Sequence, residues 1–171
     1  LDAALQGEHG ERLRARILAQ YPVALVDEFQ DTSPLQYRIF DQIYRSADND
    51  RARALLLIGD PKQAIYAFRG ADIYTYLSAK QATAPRHYSL DTNFRSSNAM
   101  VEVVNELFLL PERRTEGDGA FLFRPQQNLV AFYPVKANGR KEQLVLDREK
   151  LPALQLCYLD DSGKTFSKSA Y

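Results

Sequence analysis

Two runs of consecutive apolar residues, Val23-Ala24-Leu25-Val26 and Ala54-Leu55-Leu56-Leu57-Ile58, constrain this chain more than any other feature. Neither alternates polar with apolar positions, so neither suits a sheet with one face in water. Continuous runs of this kind suit parallel strands buried on both faces. Between them lies a well-signed helix. Ser33 can cap it, Pro34 fits its first position, and Gln36 is placed to close a capping box. Leu35, Ile39, Phe40, Ile43 and Tyr44 then form its buried stripe. Strand, helix, strand is the unit of an α/β fold with a parallel sheet, and ligands of such sheets bind beyond the carboxyl ends of the strands. Both runs exit there through acids and turn residues, Asp27-Glu28 after the first and Gly59-Asp60-Pro61 after the second.

The flanking sequence fills in around this unit. Leu13, Ile17 and Leu18 recur at helical spacing over residues 11–20, and Tyr21-Pro22 stops that helix. Residues 46–53 read as a loop. A short helix is expected over 72–81; Pro85 then interrupts the chain before a brief strand at 87–90, and a domain boundary is placed there. Ser96 or Ser97 caps a further helix whose Met100, Val101, Val104, Leu107 and Phe108 share a face until Pro111 ends it. Gly117, Gly119 and mixed charges make 112–128 a loop or linker. Residues 129–135 and 143–147 are expected to be strands, with Asn138-Gly139 supplying the positive φ angles of a tight hairpin, and a last strand is expected at 153–159.

Charge excludes one broad class of function. Twenty-two Lys and Arg balance twenty-two Asp and Glu among 171 residues, so no global basic field draws the chain onto nucleic acid, and any such contact must be local. One cysteine, Cys157, cannot form an internal disulfide, which suits a reducing compartment, and its apolar neighbours make it buried filler. His9 and His87 lack partners at metal-ligand spacing. No apolar run approaches the roughly 20 residues that span a bilayer. The expectation is a soluble cytoplasmic protein with no membrane partner. The chain opens at Leu1 and its single methionine is Met100, which suggests an interior piece of a longer protein.

The chemistry centres on Asp27-Glu28-Phe29-Gln30-Asp31. Two adjacent acids at the end of a hydrophobic strand suit nucleoside-triphosphate hydrolysis. Asp27 is assigned to Mg²⁺, by direct or water-mediated contact, because a hard cation takes oxygen ligands and neutralises phosphate charge. Glu28 is assigned to the attacking water, which it orients or deprotonates. Two acids at an arbitrary strand exit could equally cap the next helix and favour its dipole. The surrounding sequence decides between these readings.

Beyond the second run stands Gly59-Asp60-Pro61-Lys62-Gln63-Ala64-Ile65-Tyr66-Ala67-Phe68-Arg69-Gly70-Ala71-Asp72, and later Leu90-Asp91-Thr92-Asn93-Phe94-Arg95-Ser96. With the acidic segment, in this order and spacing, these resemble motifs II, III and IV of superfamily 1A helicases, the UvrD/Rep-like group. The middle motif is most similar to the RecB-like branch. The resemblance covers residues 23 to about 97. It implies a P-loop NTPase (RecA-like) parallel sheet with flanking helices, incomplete here, followed by an α/β part with a β-hairpin. Residues 1–86 would form the C-terminal half of the first RecA-like domain, and 87–171 the start of the second.

The resemblance also implies roles. Gln63 matches the glutamine that senses the γ-phosphate of ATP, and Arg95 the arginine finger that reaches that phosphate from the second domain. Phe94 matches the aromatic on the adenine. Tyr66 and Phe68 match residues that stack on single-stranded DNA, a sequence-tolerant contact, although Phe68 stands where many relatives carry tryptophan. Arg69, with Asp31 on the acidic segment, would couple the DNA surface to the ATP site. Tyr66, Phe68 and Phe94 could instead pack in the core, Gln63 could be a solvated loop amide, and Arg69 could form a surface ion pair of little consequence.

Ser162-Gly163-Lys164-Thr165 imitates a phosphate loop but does not qualify, because Tyr158 occupies the place of the required first glycine and Asp160-Asp161 would repel phosphate. The family's own phosphate loop, its motifs V and VI, and the nuclease domain of the RecB-like branch have no counterpart in these residues. The expectation is therefore a segment of an ATP- and Mg²⁺-dependent DNA helicase. It would act on single-stranded DNA and duplex ends in recombination repair, with RecC-like and RecD-like subunits as implied partners, and would be inactive as an ATPase alone. A non-catalytic helicase-like module that binds DNA or a partner is the alternative. A metal nuclease built on Asp27 and Glu28 is a third reading, and it lacks the lysine and further acids expected nearby.

Overall fold

The computed structural model describes residues 1–67, 70–123, 128–140, 142–143 and 145–156. They divide into two compact units. The first takes Leu1–Ser89 with the described residues of 121–131, and the second takes Leu90–Ala120 with the described residues from Phe132 onward.

The first unit contains helices α1 (Asp2–Gln6) and α2 (Gly10–Gln20), strand β1 (Val23–Val26), helix α3 (Pro34–Tyr44), strand β2 (Ala54–Leu57) and helix α4 (Ile73–Ala82). A single 3₁₀ turn follows each strand, at Phe29–Asp31 and at Pro61–Gln63. The capping box forms as the sequence predicts, with Ser33 Oγ accepting from the Gln36 backbone N–H and Gln36 Oε1 accepting from that of Ser33. At the other end of α3, Arg14 Nε donates to the carbonyl of Ile43 at 2.8 Å and to that of Gln42 at 3.1 Å. A cation so placed satisfies orphan carbonyls and opposes the helix dipole.

β1 and β2 pair in parallel, Val23 opposite Ala54 and Leu25 opposite Leu56, with α3 as the crossover. The pairing continues past both strands. Ile58 N donates to Val26 O and Phe29 N to Ile58 O, each at 2.8 Å. The core sits where this extension ends. Phe29 is 2% exposed, edge-on to Tyr37 of α3 at 5.6 Å between ring centroids and tilted against Tyr76 of α4 at 5.9 Å.

The sheet departs from expectation in one respect. Val23, Leu25 and Leu56 are 52%, 64% and 44% exposed, so the strands are covered on one face and not on both. Strand residues alternate sides, and no described element covers the face that carries these three. Contiguous apolar surface of this kind binds hydrophobic dyes. The chain alone is expected to enhance anilinonaphthalene-sulfonate fluorescence, and the Leu25→Ser, Leu56→Ser pair to remove more than half of that signal. An unchanged signal would place the dye elsewhere.

The second unit contains β3 (Thr92–Asn93), α5 (Asn98–Glu112), β4 (Lys136–Ala137), β5 (Val145–Leu146) and β6 (Glu149–Lys150). β3 and β4 are again parallel, with α5 as the crossover. The Asn105 side chain clips the entry to β4 onto α5, donating to Val135 O at 2.9 Å and accepting from Val135 N at 3.2 Å. Phe108 stacks on Phe132 at 5.2 Å.

Several expectations need correction here. The brief strand expected at 87–90 lies instead at Thr92–Asn93, and 129–135 forms no strand. Of the two serines expected to cap α5, Ser97 does so, in agreement with the sequence, accepting from Met100 N. That helix continues through Pro111 to Glu112, since a proline in a last turn forfeits a single bond and Arg113 N still reaches Leu109 O. The hairpin turns at Asp147-Arg148, both at positive φ of 50° and 72°, rather than at Asn138-Gly139. Asn138 N donates to Asn93 O and so prolongs the parallel pairing instead. Residues 153–156 form no strand; the rest of that expected strand, with Cys157 and the Ser162–Thr165 imitation, lies outside the described residues. Among the described residues no helix is long and apolar enough to cross a membrane.

Candidate functional site

The parallel register of β1 and β2 brings two separate stretches of sequence to one sheet edge. Asp27 and Glu28 leave β1 there, and Gly59 and Asp60 leave β2 beside them. Glu28 has φ of 49° and ψ of 43°, the left-handed region that non-glycine residues seldom occupy. This conformation turns the chain from strand into the Phe29–Asp31 turn, and Glu28 N is satisfied by Asp27 Oδ1 at 2.9 Å. Both acids are exposed, as groups that meet a ligand must be. Backbone held in a sparsely populated region is characteristic of functional sites, where packing over-determines it. The next residue, Phe29, is buried and its N–H is held by Ile58 O.

Gln30 is the residue that sequence reasoning left without a role. Its side chain is 2% exposed, yet both ends of the amide are bonded. Nε2 donates to Glu28 Oε2 at 2.7 Å, and Oε1 accepts from Asp60 N at 3.0 Å. Gly59 permits the approach: a Cβ there would sit 2.7 Å from Gln30 Oε1 and 3.0 Å from Phe29 N. The one sequence signal for Gln30 is a polar residue between acids, which carries no information about burial.

From Asp60 the bonding continues. Its carboxylate accepts from Lys62 N at 3.0 Å and from Gln63 Nε2 at 3.2 Å, and pairs with Lys62 Nζ at 2.7 Å. Burial pushes the Asp60 carboxyl up, but the hydrogen bonds from Lys62 and Gln63 and the Lys62 charge together hold it below the usual range. It therefore stays ionised and keeps Gln63 at the site edge. Glu28 and Gln63, assigned from separate motifs, are thus ends of one hydrogen-bonded path through Gln30 and Asp60.

Tyr66 is half-buried and, with Gln30, Ala64, Asp72 and Ile73, lines a pocket of about 150 Å³. Asp31 ends the 3₁₀ turn, and its Oδ1 is buried without a hydrogen-bond partner among the described residues. Phe68 and Arg69, expected from the resemblance to face DNA and to couple it to the ATP site, lie outside the described residues.

Phe94 and Arg95 belong to the second unit. The Asn93 side chain shapes their loop, its Oδ1 accepting from Arg95 N at 2.9 Å and from Ser96 N at 2.8 Å. Phe94 is 67% exposed and borders an open concavity of about 550 Å³ with Asn138, Gly139, Arg140 and Glu142. Arg95 is exposed. Neither ring nor guanidinium is consumed by core packing, so both are available to a ligand.

Among the described residues no three acids, histidines or cysteines converge as a metal cage. The exposed Asp27 carboxylate suits Mg²⁺ in another way, since that ion keeps several waters and is commonly held by one or two carboxylates plus substrate phosphates.

Residues 3–84 match the UvrD/REP helicase N-terminal domain family. The chain is 48% identical over 162 residues to RecBCD enzyme subunit RecB of Escherichia coli, covering 94% of this chain and 12% of that protein. It is 50% identical over 162 residues to the protein of the same description from Haemophilus influenzae, again covering 94% of this chain and 12% of that protein. With its counterpart in Mycobacterium tuberculosis it shares 51% identity over 89 residues, covering 52% of this chain and 8% of that protein. The chain thus spans about an eighth of the length of the first of these relatives.

Proposed function

We propose, on the premise that over residues 3–84 the chain belongs to the UvrD/REP helicase N-terminal domain family, that it supplies part of the ATP-hydrolysing site of a RecB-like DNA motor. The observation that carries this reading is the bonded path from Glu28 through Gln30 and Asp60 to Gln63 at the carboxyl edge of a parallel sheet. A path of this kind places a base for water beside an amide for phosphate, and α/β sheets bind ligands at that edge.

In this reading the chain is part of two RecA-like P-loop NTPase domains, 1–86 from the first and 87–171 from the second. Asp27 holds Mg²⁺, which when bound neutralises phosphate charge. Glu28 orients the attacking water and takes its proton. Gln63 meets the γ-phosphate without adding charge. Phe94 stacks on adenine, and Arg95 stabilises charge on the transferring phosphoryl group. Tyr66 and Phe68 stack on single-stranded DNA, with Asp31 and Arg69 linking that grip to the ATP site. The parent protein unwinds duplex ends in recombination repair together with RecC-like and RecD-like subunits. The chain alone, without a phosphate loop in its sequence, does not turn over ATP.

Asp27 offers a direct test. In the full-length protein Asp27→Asn is expected to raise the Mg²⁺ concentration for half-maximal ATP hydrolysis more than tenfold, and to weaken Mg²⁺-dependent nucleotide binding in parallel. An unchanged Mg²⁺ titration would remove Asp27 from the site.

A further inference from the structure

The buried amide of Gln30 has no part in the roles above, yet it is the only group on the described path that touches both strand exits. We propose that Gln30 is a positioning residue for hydrolysis, holding the Glu28 carboxylate in place and locking it to the turn that carries Gln63. The proposal rests on the reading of Glu28 as the group that prepares the water.

Three features of the site support it. The first is cost: an amide left unbonded at 2% exposure would be strongly unfavourable, so both of its bonds are enforced by burial. The second is geometry. Gln30 lies two residues beyond Glu28, yet Glu28 is in the left-handed region, and that turn brings its carboxylate back onto the Gln30 amide at 2.7 Å. The third is asymmetry of donor and acceptor. The amide gives a hydrogen to Glu28 Oε2 and takes one from Asp60 N, and no other neutral side chain of this length can do both. A carboxylate would repel Glu28, and an aliphatic side chain would leave Asp60 N unbonded. Gly59 keeps the channel for this contact open, since a methyl group there would press on Gln30 Oε1.

The consequence is mechanical. Asp60 N is the first backbone donor of the turn whose side chain retains Gln63, so a displacement of Gln63 reaches Glu28 through three hydrogen bonds and no flexible linker. A sensor of phosphate and the base for water would then respond together. A buried, fully satisfied polar network suits such a role because partial rearrangement is costly.

The test uses the full-length protein with whatever subunits it requires, and compares Gln30→Leu, Gln30→Glu, Glu28→Gln and the Glu28→Gln, Gln30→Leu double variant. Gln30→Leu and Gln30→Glu are each expected to lower kcat for ATP hydrolysis at least tenfold with KM for ATP within about threefold of the parent, since ATP would bind but the water would be misplaced. In the Glu28→Gln background, Gln30→Leu is expected to cost less than about twofold more, because two groups acting as a unit are non-additive. Melting temperatures measured in parallel identify any variant that fails to fold; should Gln30→Leu do so, Gln30→Glu, which preserves volume, carries the comparison.

Single variants within twofold of the parent kcat would overturn the proposal, as would losses that multiply in the double variant, the behaviour of a merely structural residue. Glu28→Gln at parental rate would instead bring down the underlying reading of the site. The two failures are therefore distinguishable.

Discussion

Glu28→Gln in the full-length protein is expected to lower kcat for ATP hydrolysis about 10³-fold while nucleotide still binds, since positioned proton transfer is worth roughly 10²–10⁴. The substitution keeps the length and the hydrogen-bonding reach of the side chain, so the bond from Gln30 Nε2 can be retained by the new amide oxygen. What disappears is the negative charge that draws a proton from water. Loss in kcat with an unchanged KM would show that the group acts in the transition state and not in substrate binding. Steady-state hydrolysis and equilibrium binding of a fluorescent nucleotide measure the two quantities separately. A fall of less than tenfold would assign the water to another residue.

The second large effect concerns stability. Phe29→Ala is expected to destabilise the chain by about 3–5 kcal/mol, the usual cost of deleting a buried aromatic. Phe29 is 2% exposed and lies between Tyr37 and Tyr76, so its removal opens a cavity between α3 and α4 and loses two ring contacts. Domains have only about 5–15 kcal/mol of stability, so a loss of this size is a substantial fraction of it. Urea titration followed by circular dichroism gives the number. A loss below about 1 kcal/mol would mean that the site refills by repacking.

Phe29 illustrates how far sequence reasoning reached. It stands inside the acidic motif and, as an aromatic among acids, could have been read as a surface contact; burial made it the anchor of the first unit. The position of Asp27 and Glu28 at a strand exit was legible because the apolar run and the acids that end it are adjacent in sequence. Helix α3 was legible for the same reason, each cap lying within a turn of its partner. The second unit was less so. Its strands are two residues long, and periodicity over two residues carries little signal. Asn138-Gly139 has the composition of a hairpin turn, yet Asn138 N is taken by Asn93 O, a partner 45 residues earlier that no local rule anticipates. The hairpin went instead to Asp147-Arg148, where two non-glycine residues accept positive φ.

By itself the sequence determined the strand, helix, strand unit, the order of three helicase-like motifs and the acids at the first strand exit, since all of these depend on residue type and short spacing. Tertiary structure decided which groups meet. Parallel pairing of β1 with β2 set Asp60 beside the end of β1, and burial turned Gln30 from a polar spacer into the bridge between Glu28 and the Gln63 turn. The physical reason is that a hydrogen bond between residues thirty positions apart depends on the register of two strands and on the exclusion of water around the amide, and neither quantity is written in any one stretch of the chain.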